Sequence, residues 1–408
     1  MALGMFLVCV ADSAPFDQVT RIIAVAAAIL GATFLLDLND KRRDHLLLPI
    51  VSVLCGLGII VLWRLQPYLA TKQILWMLGG VALMTGLYFL IDDVRSLSRL
   101  KYTCGIGAIL LILITMVIGE ERNGARLWIN VMGAFSFQPT ELAKILMTVF
   151  LAGYLADKGE LIGAQSALSA TGRRLRLPAV EFRFLAQVLL IALFCVAVFV
   201  LQKDLGAALL LMGLFIAIMY LGTGRGIYAV IGLLLFAVGA AAAYHVFPHV
   251  ATRIDMWLNP WSDPQKRGYQ MLQSLFCLWE GGAAGAVIGL GAPKSLPAAP
   301  TDLIFAVFAE DTGLMGSVGL LLLFLVASVR GYWIAWNCRD RFGELLAAGL
   351  STVFALQTIV IVGGVIKLIP LTGITLPFVS YGGTSVIANF ISIGLLLCVS
   401  RDCVAHWE

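Results

Sequence analysis

Five groups of residues combine types and spacings that could do chemistry. The first is Gly124-Ala125-Arg126-Leu127-Trp128-Ile129, leading to Gln138-Pro139-Thr140-Glu141-Leu142-Ala143-Lys144. Glu141 and Lys144 stand three apart, so on a helix they share a face and can pair. Arg126 can hold a phosphate, and Trp128 alone also suits an aromatic belt at a membrane boundary. The second group, Lys203-Asp204-Leu205-Gly206, is a tight turn. In it Asp204 is either a helix cap or a counter-charge to Lys144. The third runs from Arg253 through Asn259-Pro260-Trp261-Ser262-Asp263-Pro264 to Lys266, Arg267 and Gly268-Tyr269-Gln270. Asp263-Pro264 is in itself a turn signal, but a carboxylate among cations can also act as a general base on a hydroxyl group.

The fourth group extends from Glu280-Gly281-Gly282 through Gly285, Gly289-Leu290-Gly291 and Lys294 to Thr301-Asp302. Its glycines permit close backbone approach to a ligand, but no Gly-Lys-Ser/Thr follows, so it is no P-loop. Glu310-Asp311-Thr312-Gly313 comes next, in an apolar run where the acids serve function or only hydrogen-bond neighbouring helices. The fifth is the stretch from Pro370 to Ser385, with Gly373, Pro377, Ser380, Gly382, Gly383 and Thr384. It cannot be a regular helix. Non-helical backbone at membrane depth lines a cavity or is buried in protein; the alternative is a plain surface loop.

The elements that must carry these groups follow from composition. Of 408 residues 60% are hydrophobic and 13% charged, about half the roughly 25% charged content of soluble proteins. Mean hydropathy is +0.95. A soluble enzyme, a disordered chain and a nucleic-acid binder are thereby excluded, and a polytopic membrane protein is expected. A net charge of +4 implies no polyanionic partner. Eight scattered cysteines and four dispersed histidines spell neither a disulfide framework nor a metal centre.

A crossing helix needs about 20 apolar residues. Eleven runs qualify, at 19–37, 46–63, 72–91, 102–119, 140–156, 183–201, 204–222, 226–246, 302–329, 345–366 and 386–400. Met1–Val10 is apolar but short, a truncated first helix rather than a signal peptide with a basic n-region. Lys and Arg concentrate in one set of alternate loops, at residues 41–43, 95–101, 158–176, 225 and 330–341 and in the Arg401 tail, which marks that side as cytoplasmic. The opposite loops, including 247–301 with its amphipathic piece 269–276, are rich in Gly, Pro and Trp and carry the five groups. Long loops of this kind are usually functional. The chemistry is expected to face outward.

Taken together, these residues resemble the SEDS family, the shape, elongation, division and sporulation proteins of the RodA, FtsW and SpoVE type. The resemblance covers about residues 46–402. It rests on Gly-Ala-Arg-x-Trp-Ile at 124–129, Gln-Pro-Thr-Glu-x-x-Lys at 138–144, Asp-Leu-Gly at 204–206, Asn-Pro-Trp-x-Asp-Pro at 259–264 and Gly-Tyr-Gln at 268–270. Thr-Asp-x-Ile-Phe-Ala at 301–306 and the whole stretch 370–385 complete it.

The resemblance implies an all-α polytopic membrane protein: ten core transmembrane helices, one or two N-terminal helices within residues 1–45, and a large extracytoplasmic loop between core helices seven and eight. The core would span 46–402 and a cytoplasmic tail 403–408. It implies a peptidoglycan glycosyltransferase of the bacterial plasma membrane that polymerises lipid II, with a class B penicillin-binding protein and membrane lipid as partners and no nucleic acid. By resemblance the essential acid falls on Asp263, and Arg126, Trp128, Glu141, Lys144 and Asp204 shape the cavity or bind pyrophosphate. Lys203, Arg253, Lys294, Asp302, Ser380 and Thr384 are further candidates for that cavity. No cofactor is required by the sequence, though a divalent cation, Mg or Mn, is allowed.

The sequence also departs from the family. Many relatives have Arg at the position of Leu127, Pro at Lys203, His at Pro300 and Gly at Val287, which suggests a divergent paralogue that retains Asp263, Lys144 and Glu141. Two rival functions stand beside polymerisation: a lipid II flippase, and a non-catalytic scaffold for a penicillin-binding protein. Polar groups crowding the outer loops rather than mid-helix favour chemistry over alternating access.

Overall fold

The computed structural model describes residues 17–39, 43–122, 125–131, 135–169, 193, 196–197, 200–286 and 296–404. The apolar runs form helices, beginning with α1 (Asp17–Asn39), α2 (Leu47–Leu65), α3 (Pro67–Leu90), the short α4 (Arg95–Arg99) and α5 (Lys101–Ile118). A small antiparallel sheet follows, β1 (Glu120–Arg122), β2 (Ala125–Val131) and β3 (Phe135–Phe137), in the order β1-β2-β3. Then come α6 (Pro139–Ser169), α7 (Leu205–Thr223), α8 (Gly226–Val246), α9 (Pro248–Leu258), a 3-10 turn (Pro260–Ser262) and α10 (Tyr269–Gly281). The chain closes with α11 (Ile304–Asn337), α12 (Arg341–Val365) and α13 (Gly383–Val404).

Among the described residues nine helices are long and apolar enough to cross a membrane: α2, α3, α5, the first part of α6, α7, α8, α11, α12 and α13. The protein is a multi-pass membrane protein. In α1 only Ile23–Leu38 forms the apolar stretch. Residues 1–16 lie outside the described residues, as does all of the expected span 183–201 except Leu193, Val196, Ala197, Val200 and Leu201. The helical class holds. The three-stranded sheet between α5 and α6 is an addition that nothing in the sequence pattern signalled. Cys338 is disulfide-bonded, to a cysteine whose side chain lies outside the described residues, so the scattered cysteines do hold a pairing.

Local signals set the helix ends. Pro67 and Pro248 occupy the first turn of their helices, where the missing N–H costs no hydrogen bond. Asp204 and Asp340 cap α7 and α12, accepting from Ala207 N at 2.9 Å and Gly343 N at 3.0 Å. The segment 366–382 between α12 and α13 is not helical, and it packs inward: Phe378 and Val379 are fully buried. By contrast α8 buries only Gly232 and presents Leu233, Leu234 and Val238 outward, as a helix facing lipid does.

Alternation of the helices puts the loops at 66, 119–138, 202–204, 247–303 and 366–382 at one end of the bundle, the site end. The opposite end is fastened by cations. Arg330 pairs with Asp44, which also accepts from Leu46 N and Leu47 N at the start of α2. Arg43 binds Asp37 at 2.8 Å, tying α1 to the start of the core. Arg401 donates to the carbonyls of Tyr88, Ile91 and Asp92 at the end of α3.

α11 is broken near the site end. Gly313 has φ +65°, a left-handed conformation that interrupts the helix. Residues 282–286 take up the backbone groups this releases. Ala286 N donates to Glu310 O at 2.9 Å, Leu314 N to Gly282 O at 2.9 Å and Met315 N to Ala283 O at 3.2 Å. Arg64, at the end of α2, pairs there with buried Asp311.

Candidate active site

Segment 370–385 organises the site end. Gly206, in the first turn of α7, has no side chain because any Cβ would collide with Ile374, so α7 presses directly on this segment. From α3, Gln73 is fully buried; its Nε2 donates to Ser380 O at 2.9 Å and its Oε1 accepts from Gly382 N at 3.2 Å. From α12, Gln357 Nε2 donates to Thr375 O at 2.7 Å. These two glutamines hold an otherwise irregular chain in one conformation, and neither was singled out by the sequence. A lone amide in an apolar helix was the signal available.

One cluster gathers on the α6 side of the segment. Glu141, Lys144 and Asp204 are each only 5% exposed. Lys144 Nζ donates to Glu141 Oε1 at 3.0 Å and to Gln357 Oε1 at 3.4 Å. Glu141 Oε2 is buried with no hydrogen-bond partner. Burial pushes the Asp204 carboxyl above the usual carboxylate range, opposed by the Ala207 N–H and by Lys144, while Glu141 pushes it further up and Arg253 draws it down. Asp204 is thus the cap of α7, while the ion pair of Lys144 among the described residues is with Glu141.

A second cluster lies where α9 meets the segment. Arg253 Nη1 donates to Leu371 O at 2.7 Å, and Trp257 Nε1 donates to Lys367 O at 2.9 Å. A Cβ placed on Gly373 would sit 3.6 Å from Asp302 Oδ2 and 3.7 Å from Arg253 Nη2, so both side chains border this bare backbone. Burial raises the Asp302 carboxyl to about 6, against the lowering effects of the Thr301 hydroxyl and the Arg253 charge.

The remaining candidates are distributed differently. The hydroxyl of Ser380 is used internally, accepting from Leu376 N at 2.8 Å and donating to Thr301 O at 2.6 Å. Thr384 Oγ1 accepts from Gln138 N at 3.2 Å, joining the start of α13 to that of α6. Trp128 stands on β2 opposite Glu120, half-buried. Lys203 is exposed, in a left-handed conformation with φ +64°. Asp263 closes the turn 260–262, where its carbonyl accepts from Gly268 N at 2.9 Å. Its half-exposed carboxylate makes no hydrogen bond or ion pair with any described residue. The side chain of Arg126, and all of Lys294, lie outside the described residues.

Among the described residues no three His, Cys, Asp or Glu side chains converge as a ligand set. Lys144 already places a positive charge beside Glu141 and Asp204.

Comparisons with known proteins agree over nearly the whole chain. The family model for FtsW, RodA and SpoVE, described as a cell cycle protein, matches residues 44–404. The chain is 41% identical over 371 residues to the peptidoglycan glycosyltransferase RodA of Mycobacterium tuberculosis, covering 88% of this chain and 78% of that protein. It is 33% identical over 380 residues to the stage V sporulation protein E of Bacillus subtilis, covering 89% and 98%. Among solved structures, a chain of a peptidoglycan synthase complex that coordinates polymerization and crosslinking superposes with a TM-score of 0.73 at 28% identity, over 89% of this chain and 99% of that one.

Proposed function

The chain belongs to the FtsW, RodA and SpoVE family of cell cycle proteins, and from that premise we propose that it is a peptidoglycan glycosyltransferase that polymerises lipid II into glycan strands. The observation that carries this reading is a division among the acids at the site end. Glu141 and Asp204 are buried and engaged, Asp302 borders Gly373 beside Arg253, and Asp263 stands half-exposed with no hydrogen bond or ion pair to its side chain among the described residues. A free carboxylate is what a general base requires.

In this mechanism Asp263 takes the proton from the C4 hydroxyl of an acceptor GlcNAc. The oxygen attacks the anomeric carbon of a lipid-linked MurNAc, the C–O bond to the diphosphate breaks, and the diphosphate leaves with the electron pair. One displacement inverts the anomeric centre and converts an α-linked donor into a β-linked glycan. Leaving-group charge is met by cations in a site of low dielectric, where such contacts count most. Arg253 and Lys203 are two cations at this end, neither tied to a carboxylate by an ion pair among the described residues. Arg43, Arg330 and Arg401 at the opposite end support an extracytoplasmic site end by the excess of Lys and Arg on the cytoplasmic side, with the C-terminus cytoplasmic and the bacterial plasma membrane as location. The similarity to a chain of a synthase complex supports a class B penicillin-binding protein as partner.

The test is polymerisation of lipid II by the purified protein with and without that partner. Glycan from the wild type and none from Asp263→Asn is the expected result. Movement of labelled lipid II across vesicles by both proteins, with polymer from neither, would assign a flippase instead.

A further inference from the structure

At the end of the bundle opposite the site, Cys338 closes α11 and stands just before α12. It is disulfide-bonded, whereas Cys55, Cys104, Cys277 and Cys398 are free. Its partner is therefore Cys9, Cys195 or Cys403. A Cβ added to Gly343, in the first turn of α12, would come 2.8 Å from Cys338 Sγ and 3.6 Å from Val399 Cγ1 on α13. The sulfur thus sits where α12 begins and α13 ends. Cys403 is four residues beyond Val399, in the last turn of α13, so the two share a face of that helix. Cys195 precedes the turn at 202–204, which lies at the site end.

Reagents can reach this sulfur. A cavity of about 260 Å³ is lined by Cys338, Val399 and Asp402 and by the exposed Asp93, Arg95 and Arg339. Arg95 pairs with Asp340 at 3.2 Å and Arg401 with Asp402 at 2.8 Å, while Arg339 has no ion pair among the described residues. The thiolate is the reactive form of a cysteine, and a helix N-terminus or a neighbouring guanidinium favours it. Buried cysteines such as Cys55 and Cys398 lack that access.

We propose that Cys338 and Cys403 form a reversible redox modification site, a dithiol that exchanges with small thiols and disulfides of the cytoplasm. It rests on the reading of this end as cytoplasmic, a compartment where disulfides are kept reduced and those that form are usually transient or redox-sensing. The Cys338 thiolate attacks one sulfur of a small disulfide RSSR; the S–S bond breaks, a mixed disulfide forms, and RS⁻ leaves and takes up a proton. The Cys403 thiolate then attacks the Cys338 sulfur, closing the protein disulfide and releasing the second RS⁻, which is protonated in turn. Two cysteine sulfurs are oxidised, RSSR is reduced to two RSH, and two RSH reverse the exchange. The closed bond ties the α11–α12 turn to the end of α13, which also holds the end of α3 through Arg401 and accepts from Val94 N through Asp402 Oδ2 at 2.9 Å.

The test treats the full-length protein in nanodiscs with oxidised or reduced glutathione, alkylates free thiols and maps the cysteine peptides by mass spectrometry. Oxidised glutathione should yield a peptide joining Cys338 to Cys403, and reduced glutathione should return both as alkylated thiols. Cys403→Ser should accumulate a glutathione adduct on Cys338 that the wild type resolves and loses. In spheroplasts a permeant maleimide should label both cysteines and a membrane-impermeant one neither. No link, a link from Cys338 to Cys9 or Cys195, or a link that reduced glutathione leaves closed would overturn the site. Labelling by the impermeant reagent after reduction would place the pair outside as a permanent brace, overturning the cytoplasmic reading and the exchange with it. The peptide map and the labelling are separate readings, so failure of the pair is told apart from failure of the orientation, and polymerisation of lipid II enters neither.

Discussion

The two acidic regions of the site end are built on opposite principles. Glu141 and Asp204 lie in the bundle, each 5% exposed and bonded to Lys144 or to the α7 backbone. Asp263 lies on the loop, half-exposed and unpaired among the described residues. A buried carboxylate beside an ammonium depends on that partner, and removing one strands the other. A loop carboxylate carries no such debt and is free to meet a proton donor from outside. On the proposed mechanism the difference separates a group that the fold needs from a group that the reaction needs.

That separation can be broken by mutation. The largest expected effect is on activity: Asp263→Asn should lower lipid II polymerisation by about a hundredfold to ten-thousandfold while the melting temperature stays that of the wild type. A variant that also melts early would place Asp263 among the structural acids. Next, Lys144→Ala or Glu141→Ala should cost about 3–5 kcal/mol of stability, because a charge is left buried and alone. The double replacement Glu141→Leu with Lys144→Met should recover most of that stability, read by thermal melting in detergent. If each single variant melts like the wild type, the cluster is hydrated and the comparison fails.

Asp302 sharpens the contrast through pH. Its carboxyl is raised to about 6 by burial, above the ordinary value near 4 that it regains on unfolding. The native state therefore holds the proton more tightly, and the stability this contributes is present below about pH 4 and lost as pH rises through about 6. The Asp302 contribution should fall by about 2–3 kcal/mol across that window, and Asp302→Asn should show a correspondingly smaller fall than the wild type, both followed by melting temperature. The smallest effect concerns the break in α11: Gly313→Ala forces a Cβ into a left-handed conformation against Ala283 and should cost about 1–3 kcal/mol, read in the same assay.

Much of this was legible in the sequence, for physical reasons that also explain what was not. Runs such as 46–63 and 204–222 announce themselves because lipid demands about 20 apolar residues, and the structure places α2 (Leu47–Leu65) and α7 (Leu205–Thr223) there. The Glu141–Lys144 pair was readable because helical periodicity fixes which residues share a face. The sheet at 120–137 was not, since its strands are short and irregular, with a register shift between Glu120 and Glu121. Gln73 and Gln357 were not, because their partners are backbone groups of a segment about 300 and 20 residues distant in sequence. Arg64 was missed for a similar reason: only folding brings it to Asp311.

The break at Gly313 has an evolutionary consequence. Three backbone bonds weld residues 282–286 to residues 310–315, so the stretch of the large loop after α10 and the interrupted helix form one unit of inheritance. A lengthened or reshaped loop cannot be acquired by insertion at its rim alone; it must arrive together with a matching change in α11.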